Sequence, residues 1–187
     1  RRMSKLKELT HDQHRNAERQ QFVKVLMSGK INPELYATYL WNQHKKYKLL
    51  ETLASSHGIF DDLPGVSRHL KIEQDFNELW NHNESPVVLP STHEYILHMK
   101  EIMQDPILLT AHIYTLHMGD LSGGQMIARK VPGSKQMYQF DGDKAALKEI
   151  IRSKTTDDMA TEAIYVFESA TKLFQELMEL DIEPYME

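Results

Sequence analysis

Apolar positions recur at helical rather than strand spacing along nearly the whole chain. From Pro33, a residue well suited to a first helical turn, Tyr36, Tyr39, Leu40, Tyr47, Leu50 and Ala54 share one face, and His57-Gly58 supplies a glycine stop. Upstream, Ser4 or Thr10 can start a helix carrying Leu6, Leu9 and Ala17. Leu63-Pro64-Gly65 reads as a turn, and Ser67 to Trp80 as a third helix. After the extended link Val87–Pro90, Ser91-Thr92 with Glu94 can cap a fourth helix to about Met103. Asp105-Pro106 opens a long apolar segment, Ile107 to about Lys130, interrupted by glycines at 119, 123 and 124 and ended by Pro132-Gly133. A short helix follows around Lys144–Arg152. The last runs from about Asp157 with Ala160, Ala163, Ile164, Phe167, Ala170, Phe174 and Leu177 inward. No alternating stretch is long enough for a strand, and no repeat or linker divides the chain. The pattern predicts an all-α fold, a single-domain helical bundle over residues 1–187.

Composition narrows the chemistry by exclusion. The chain has no cysteine, which removes disulfides, thiolate metal sites and cysteine nucleophiles. A formal net charge of -5 argues against a general nucleic-acid binder. No window approaches the roughly 18 uncharged apolar residues of a membrane span. The basic N-terminus (Arg1, Arg2, Lys5, Lys7) has no apolar run behind it, so it is not read as a signal peptide. Met3 can be the native start, with Arg1 and Arg2 as processing remnants, and the acidic end Asp181–Glu187 offers no membrane tail. The expectation is a cytoplasmic protein without a membrane anchor.

Two segments can carry chemistry. Lys7, His11, His14 and Glu18 lie along one helical face, which is either a solvated stripe or a ligand-bearing edge. Glu18 stands one turn after His14, where a carboxylate can fix the tautomer of a metal-ligating imidazole. A neutral histidine is also a standard axial ligand for haem iron. The other segment is Gly119-Asp120-Leu121-Ser122-Gly123-Gly124-Gln125, inside an apolar helix. Each mid-helix glycine costs about 1 kcal/mol relative to alanine, so three of them require a reason. One reason is a helix break, with Ser122 and Gln125 as a capping box for the restart. The other is close approach of backbone to a flat, bulky group. The two are compatible.

Several other readings fall away. Leu121–Gln125 spells the signature stretch of ABC-type ATPases, but no phosphate-binding G-x-x-x-x-G-K-[ST] accompanies it. A carboxylate-bridged di-iron bundle needs two Glu-x-x-His pairs, and Glu8–His11 is the single one present. No H-E-x-x-H zinc motif occurs, and the remaining histidines are scattered.

Together, Leu6-Lys7-Glu8-x-Thr10-x-x-x-His14-x-x-Ala17-Glu18 and Ala111-His112-x-Tyr114-Thr115-x-x-x-Gly119-Asp120-Leu121-Ser122-Gly123-Gly124-Gln125 resemble the haem oxygenase family. Glu73-Gln74-Asp75 and the Phe167…Phe174 pattern are similar as well, so the likeness covers essentially the whole chain. The resemblance implies haem held between a proximal N-terminal helix and a kinked distal helix. It makes His14 the iron ligand, with Glu18 its hydrogen-bonding partner, and Gly119, Gly123 and Gly124 the backbone over the haem. It gives Asp120 the ordering of water near bound dioxygen and gives Tyr47 the bracing of Asp120. Lys7, His11, Tyr114, Lys148 and Arg152 would surround the propionates, and Phe167 and Phe174 would wall the pocket. Haem would be both cofactor and substrate, cleaved at a meso carbon, alpha by expectation, to biliverdin, carbon monoxide and ferrous iron. Electrons would come from ferredoxin or a flavin-dependent reductase, with Arg129, Lys130 and Lys154 as docking cations, and the enzyme would act as a monomer.

The chain departs from the family's pattern at three places. His11 stands where many relatives have lysine, Leu116 replaces an arginine of the distal network, and His117 replaces a tyrosine. These bear on the outer water network rather than on the reaction class. A helical relative processing a different small molecule without haem, and a haem carrier or sensor that never turns over, are the competing classes.

Overall fold

In the computed structural model, which describes residues 3–185, two long helices organise the chain. Arg1 and Arg2 lie outside the described residues, as do positions 186 and 187. Among the described residues there is no strand, only an isolated bridge between Ile31 and Tyr185. No helix of the described chain is long and apolar enough to cross a membrane.

The N-terminal helix forms as two pieces, α1 (Leu6–Leu9) and α2 (His11–Glu18), because Thr10 leaves helical geometry at φ -112°. Ser4 does not start α1, whose cap position is Lys5; Thr10 stands at the cap position of α2 but makes no side-chain cap bond. The Thr10 hydroxyl donates back to the Leu6 carbonyl at 2.8 Å, a local bond that competes with helix continuation. Ser4 instead meets Thr155 Oγ1 at 2.8 Å, and Lys5 N donates to Asp157 Oδ1 at 2.6 Å. The start of the chain is thereby tied to the single-turn 3₁₀ segment Asp157–Met159. A short α3 (Gln21–Leu26) follows.

The central element α4 (Pro33–Ser56) begins as the sequence predicts, with Pro33 in the first turn and Asn32 Oδ1 accepting from Glu34 N at 2.9 Å. All six apolar residues of its predicted face are buried, each worth about 1.5–3 kcal/mol for the larger ones. It packs on α5 (His69–Leu79), α6 (Pro90–Ile102) and α7 (Pro106–Leu121). Asp105 caps α7 by accepting from the backbone of Ile107 and Leu108. After the one-turn α8 (Gly124–Ile127) come a 3₁₀ turn at Gln136–Tyr138, α9 (Lys144–Ser153) and α10 (Ala160–Met178). In α10, Ala163, Phe167 and Leu177 are buried as predicted, whereas Ile164, Ala170 and Phe174 are only partly covered.

The predicted cap of α6 is corrected by the structure. Leu89 occupies the cap position, and Ser91 and Thr92 sit inside the first turn with tertiary work to do. Ser91 donates through N and Oγ to Glu176 of α10, and Thr92 Oγ1 donates to Asn42 Oδ1 of α4 at 2.8 Å. Burial pulled these hydroxyls away from their own helix end. The result that positions the site is the shared support: both α2 and α7 rest on α10.

Candidate active site

The proximal side is built on the seam between α2 and α10. Ala17 faces inward while His14 stays on the open side, half-exposed. Its imidazole stacks on buried Phe167, with ring centroids 4.7 Å apart and planes 16° from parallel. Its Nε2 lies 3.4 Å from Glu18 Oε1, one helical turn on. The imidazole thus has an aromatic floor on one face and a carboxylate beside its Nε2.

The distal side is the end of α7. The helix stops at Ser122, whose φ of -115° and ψ of -98° lie outside helical geometry. The predicted Ser122–Gln125 capping box does not form, for Gly123 holds the cap position without a side-chain bond. Gln125 instead donates through Nε2 to the carbonyls of Asp120 and Tyr138, both at 2.9 Å, and so clamps the break from behind.

The three glycines divide by what surrounds them. A Cβ built on Gly119 or Gly123 meets no atom within 4 Å, and both residues are exposed. On Gly124 it would come within 2.8 Å of the Tyr138 ring and 3.1 Å of the Gly119 carbonyl. Gly124 is thus required by packing inside the protein. Nothing within the described protein requires a bare backbone at Gly119 or Gly123.

Behind the kink lies a buried polar network. Tyr47 Oη donates to Asp120 Oδ2 at 2.8 Å. Burial pushes the Asp120 carboxyl up to about 7, against the lowering effects of His117, the Tyr47 hydrogen bond and Arg68. His117, one turn before, is fully buried and bonds through Nε2 to Glu51 Oε2 at 2.7 Å. Burial alone would raise the Glu51 carboxyl, but His117 and the backbone N–H groups of His69 and Arg68 outweigh it and hold it at about 2. Leu116, the other departure on α7, packs in the apolar core.

The peripheral residues are more dispersed. Lys7 and His11 are exposed and line an open groove with Leu9 and Gln13. Tyr114, Lys148 and Arg152 belong to the region where α7 meets α9, and Arg152 Nη1 donates to Glu149 Oε1 at 2.7 Å. Phe174 stacks on Phe22 at 5.7 Å, two turns along α10 from Phe167, and so sits at the edge of the main core.

Four residues that shape the site were not singled out from sequence: Glu51, Arg68, Asp75 in this role, and Tyr138. Asp75 accepts from the backbone of Gln136 and Met137 at 2.8 and 2.9 Å. Arg68, fully buried, donates to the carbonyls of Gly65, Val66, Ser67, Met137 and Gln139. Together they hold the turn that presents Tyr138 to Gly124. Nothing in a Ser-Arg-His-Leu-Lys string distinguishes a buried arginine from a solvated one.

The chain is similar to known proteins over most of its length. The family model described as heme oxygenase matches residues 2–180. A heme oxygenase of Guillardia theta is 31% identical, over 92% of this chain and 84% of its own. Heme oxygenase-1 of Synechocystis, solved in complex with heme, superposes with a TM-score of 0.80 at 27% identity, covering 92% of this chain and 90% of that one. Heme oxygenase-2 of the same organism, solved with heme and NO, gives 0.81 at 28% identity over 92% and 83%.

Proposed function

The chain belongs to the haem oxygenase family, and on that premise we propose how its own residues bind and steer the substrate. The observation that carries the proposal is the pairing of a braced, half-exposed His14 with two glycines whose missing side chains face empty space. His14 is the iron ligand, held by Glu18 and Phe167. Gly119 and Gly123 let the α7 backbone lie against the ring face, and Gly124 acts one layer behind by accepting the Tyr138 ring.

Haem would supply the iron and the ring carbon that is oxidised, and a neutral histidine gives the iron less electron push than a thiolate. Asp120 manages protons. A carboxyl at about 7 can hold or release a proton near neutral pH, and with Oδ2 engaged by Tyr47 its Oδ1 is free to order water. The kinked backbone directs cleavage to the alpha meso carbon by shielding the other edges. Lys7, His11, Tyr114, Lys148 and Arg152 form a loose polar rim suited to the propionates. His11, shorter than the lysine many relatives carry there, reaches less far toward that rim. A ferredoxin or flavin-dependent reductase supplies electrons, drawn by Arg129 and Lys130; Lys154, expected to join them, is instead ion-paired with Asp62 at 2.8 Å. Because one chain provides both faces of the site, a cytoplasmic monomer suffices.

The test is to add haem, a reductant and oxygen and follow the Soret band. Bleaching to a bilin spectrum is expected in the wild type. His14→Ala should lose the histidine-ligated haem spectrum while keeping its helical content, since His14 is exposed; an unchanged spectrum would remove His14 from the proximal role. Asp120→Ala should bind haem yet make little biliverdin, and normal turnover there would overturn its assignment.

A further inference from the structure

A second cluster of ligand-type side chains lies away from the haem site, between α6, α7 and α10. His98 Nε2 and His112 Nε2 both contact Glu162 Oε1, at 2.5 and 2.7 Å. The three ligand atoms lie within 4.8 Å of one another. His112 is fully buried and Glu162 nearly so, whereas His98 is partly open to solvent and provides a way in. None of the three contributes to the His14 or Asp120 surroundings.

We propose that His98, His112 and Glu162 form a binding site for a divalent transition cation such as zinc. Two imidazoles and a carboxylate are a recurrent three-ligand zinc set, completed by water. In the structure one carboxylate oxygen draws both imidazole nitrogens to a common point, so the donors already converge. Ligation at about 2.0–2.2 Å requires only that the carboxylate withdraw slightly to admit the ion. The surroundings are those of a supported site. Tyr95 Oη lies 2.7 Å from His112 Nδ1 and can accept its proton once Nε2 is a ligand, and Tyr165 stacks on His98 at 3.9 Å. Lys46 Nζ lies 4.9 Å over the Tyr95 ring, one residue behind His112, and the Glu162 carboxylate supplies the negative charge a dication requires. A bound ion would fasten α6, α7 and α10 together at one point. This site does not depend on the haem-site assignments.

The experiment uses the full chain, haem-free and stripped with a chelator. Equilibrium dialysis against zinc should find one ion per chain. His98→Asn, chosen because His98 is the open member, should weaken that binding at least about 30-fold, while His14→Ala should leave it within about twofold. Cobalt(II) added to the wild type should give the intense visible bands of four- or five-coordination, a readout that needs no variant to fold. Absence of stoichiometric zinc, zinc binding that survives His98→Asn, or only the weak bands of octahedral cobalt would each overturn the proposal.

Discussion

The Tyr47 hydroxyl, on α4, donates to the Asp120 carboxylate, on α7, across 2.8 Å of buried space. Two helices that meet through apolar side chains are thus joined by one directed bond at the point where α7 approaches its break. Removing that bond in Tyr47→Phe should raise the Asp120 carboxyl further, because the hydrogen bond is one of the effects holding it down. The acid limb of the pH profile for bilin formation should move upward, with helix content unchanged. An unmoved profile would separate Asp120 ionisation from turnover.

Asp120 also makes stability depend on pH. Its folded value is raised from 3.8 to about 7, so the folded state holds a proton that the unfolded chain has released between those limits. Stability from this group is therefore full below about 4 and is lost as pH rises through about 7. Asp120→Asn keeps an acceptor for Tyr47 and has no charge to bury. Its thermal stability relative to wild type should rise from pH 5 to pH 8, by on the order of 2–4 kcal/mol. Parallel melting curves at the two pH values would reveal a flat difference if the reading is mistaken.

Glu51 has the opposite sign. Depressed from 4.5 to about 2, it contributes stability that is present above its unfolded value and disappears as pH falls through about 2. Glu51→Gln should cost about 3 kcal/mol at neutral pH, since His117 and the two backbone donors lose a charged acceptor. That cost should shrink in acid, which denaturant titrations at pH 7 and pH 3 would measure.

The glycines give opposed outcomes within six residues. Gly124→Ala would drive a methyl into the buried Tyr138 ring and should destabilise the fold by about 1–3 kcal/mol. Gly119→Ala meets open space within a helix and should stabilise it by about 0.5–1 kcal/mol. It should nevertheless weaken haem binding. Calorimetric unfolding beside haem titration would resolve both effects, and a Gly119→Ala variant with unaltered haem affinity would count against the backbone roof.

How far the sequence could be read depended on the range of each interaction. The period of α4 was legible because burial of Tyr36 through Ala54 is written into one local face. The one-turn spacing of His14 and Glu18 and a break near Gly119–Gln125 were legible from local residues alone. The end of the long apolar segment was not, because Ser122 and Gln125 offer a capping box locally, whereas Gln125 is claimed by the Asp120 and Tyr138 carbonyls through the fold. Ser91 and Thr92 misled in the same way, being drawn to Glu176 and Asn42. A local signal lost wherever a distant buried partner competed for the same hydroxyl or amide.

Arg68 holds the carbonyls of residues 65–67 and those of 137 and 139 on one guanidinium. Neither segment can swing away from the other without stranding several of those carbonyls in a dry interior. The two stretches, some seventy residues apart in the chain, therefore breathe together. Their slowly exchanging amides should share one opening rate, as if the chain had been spliced there.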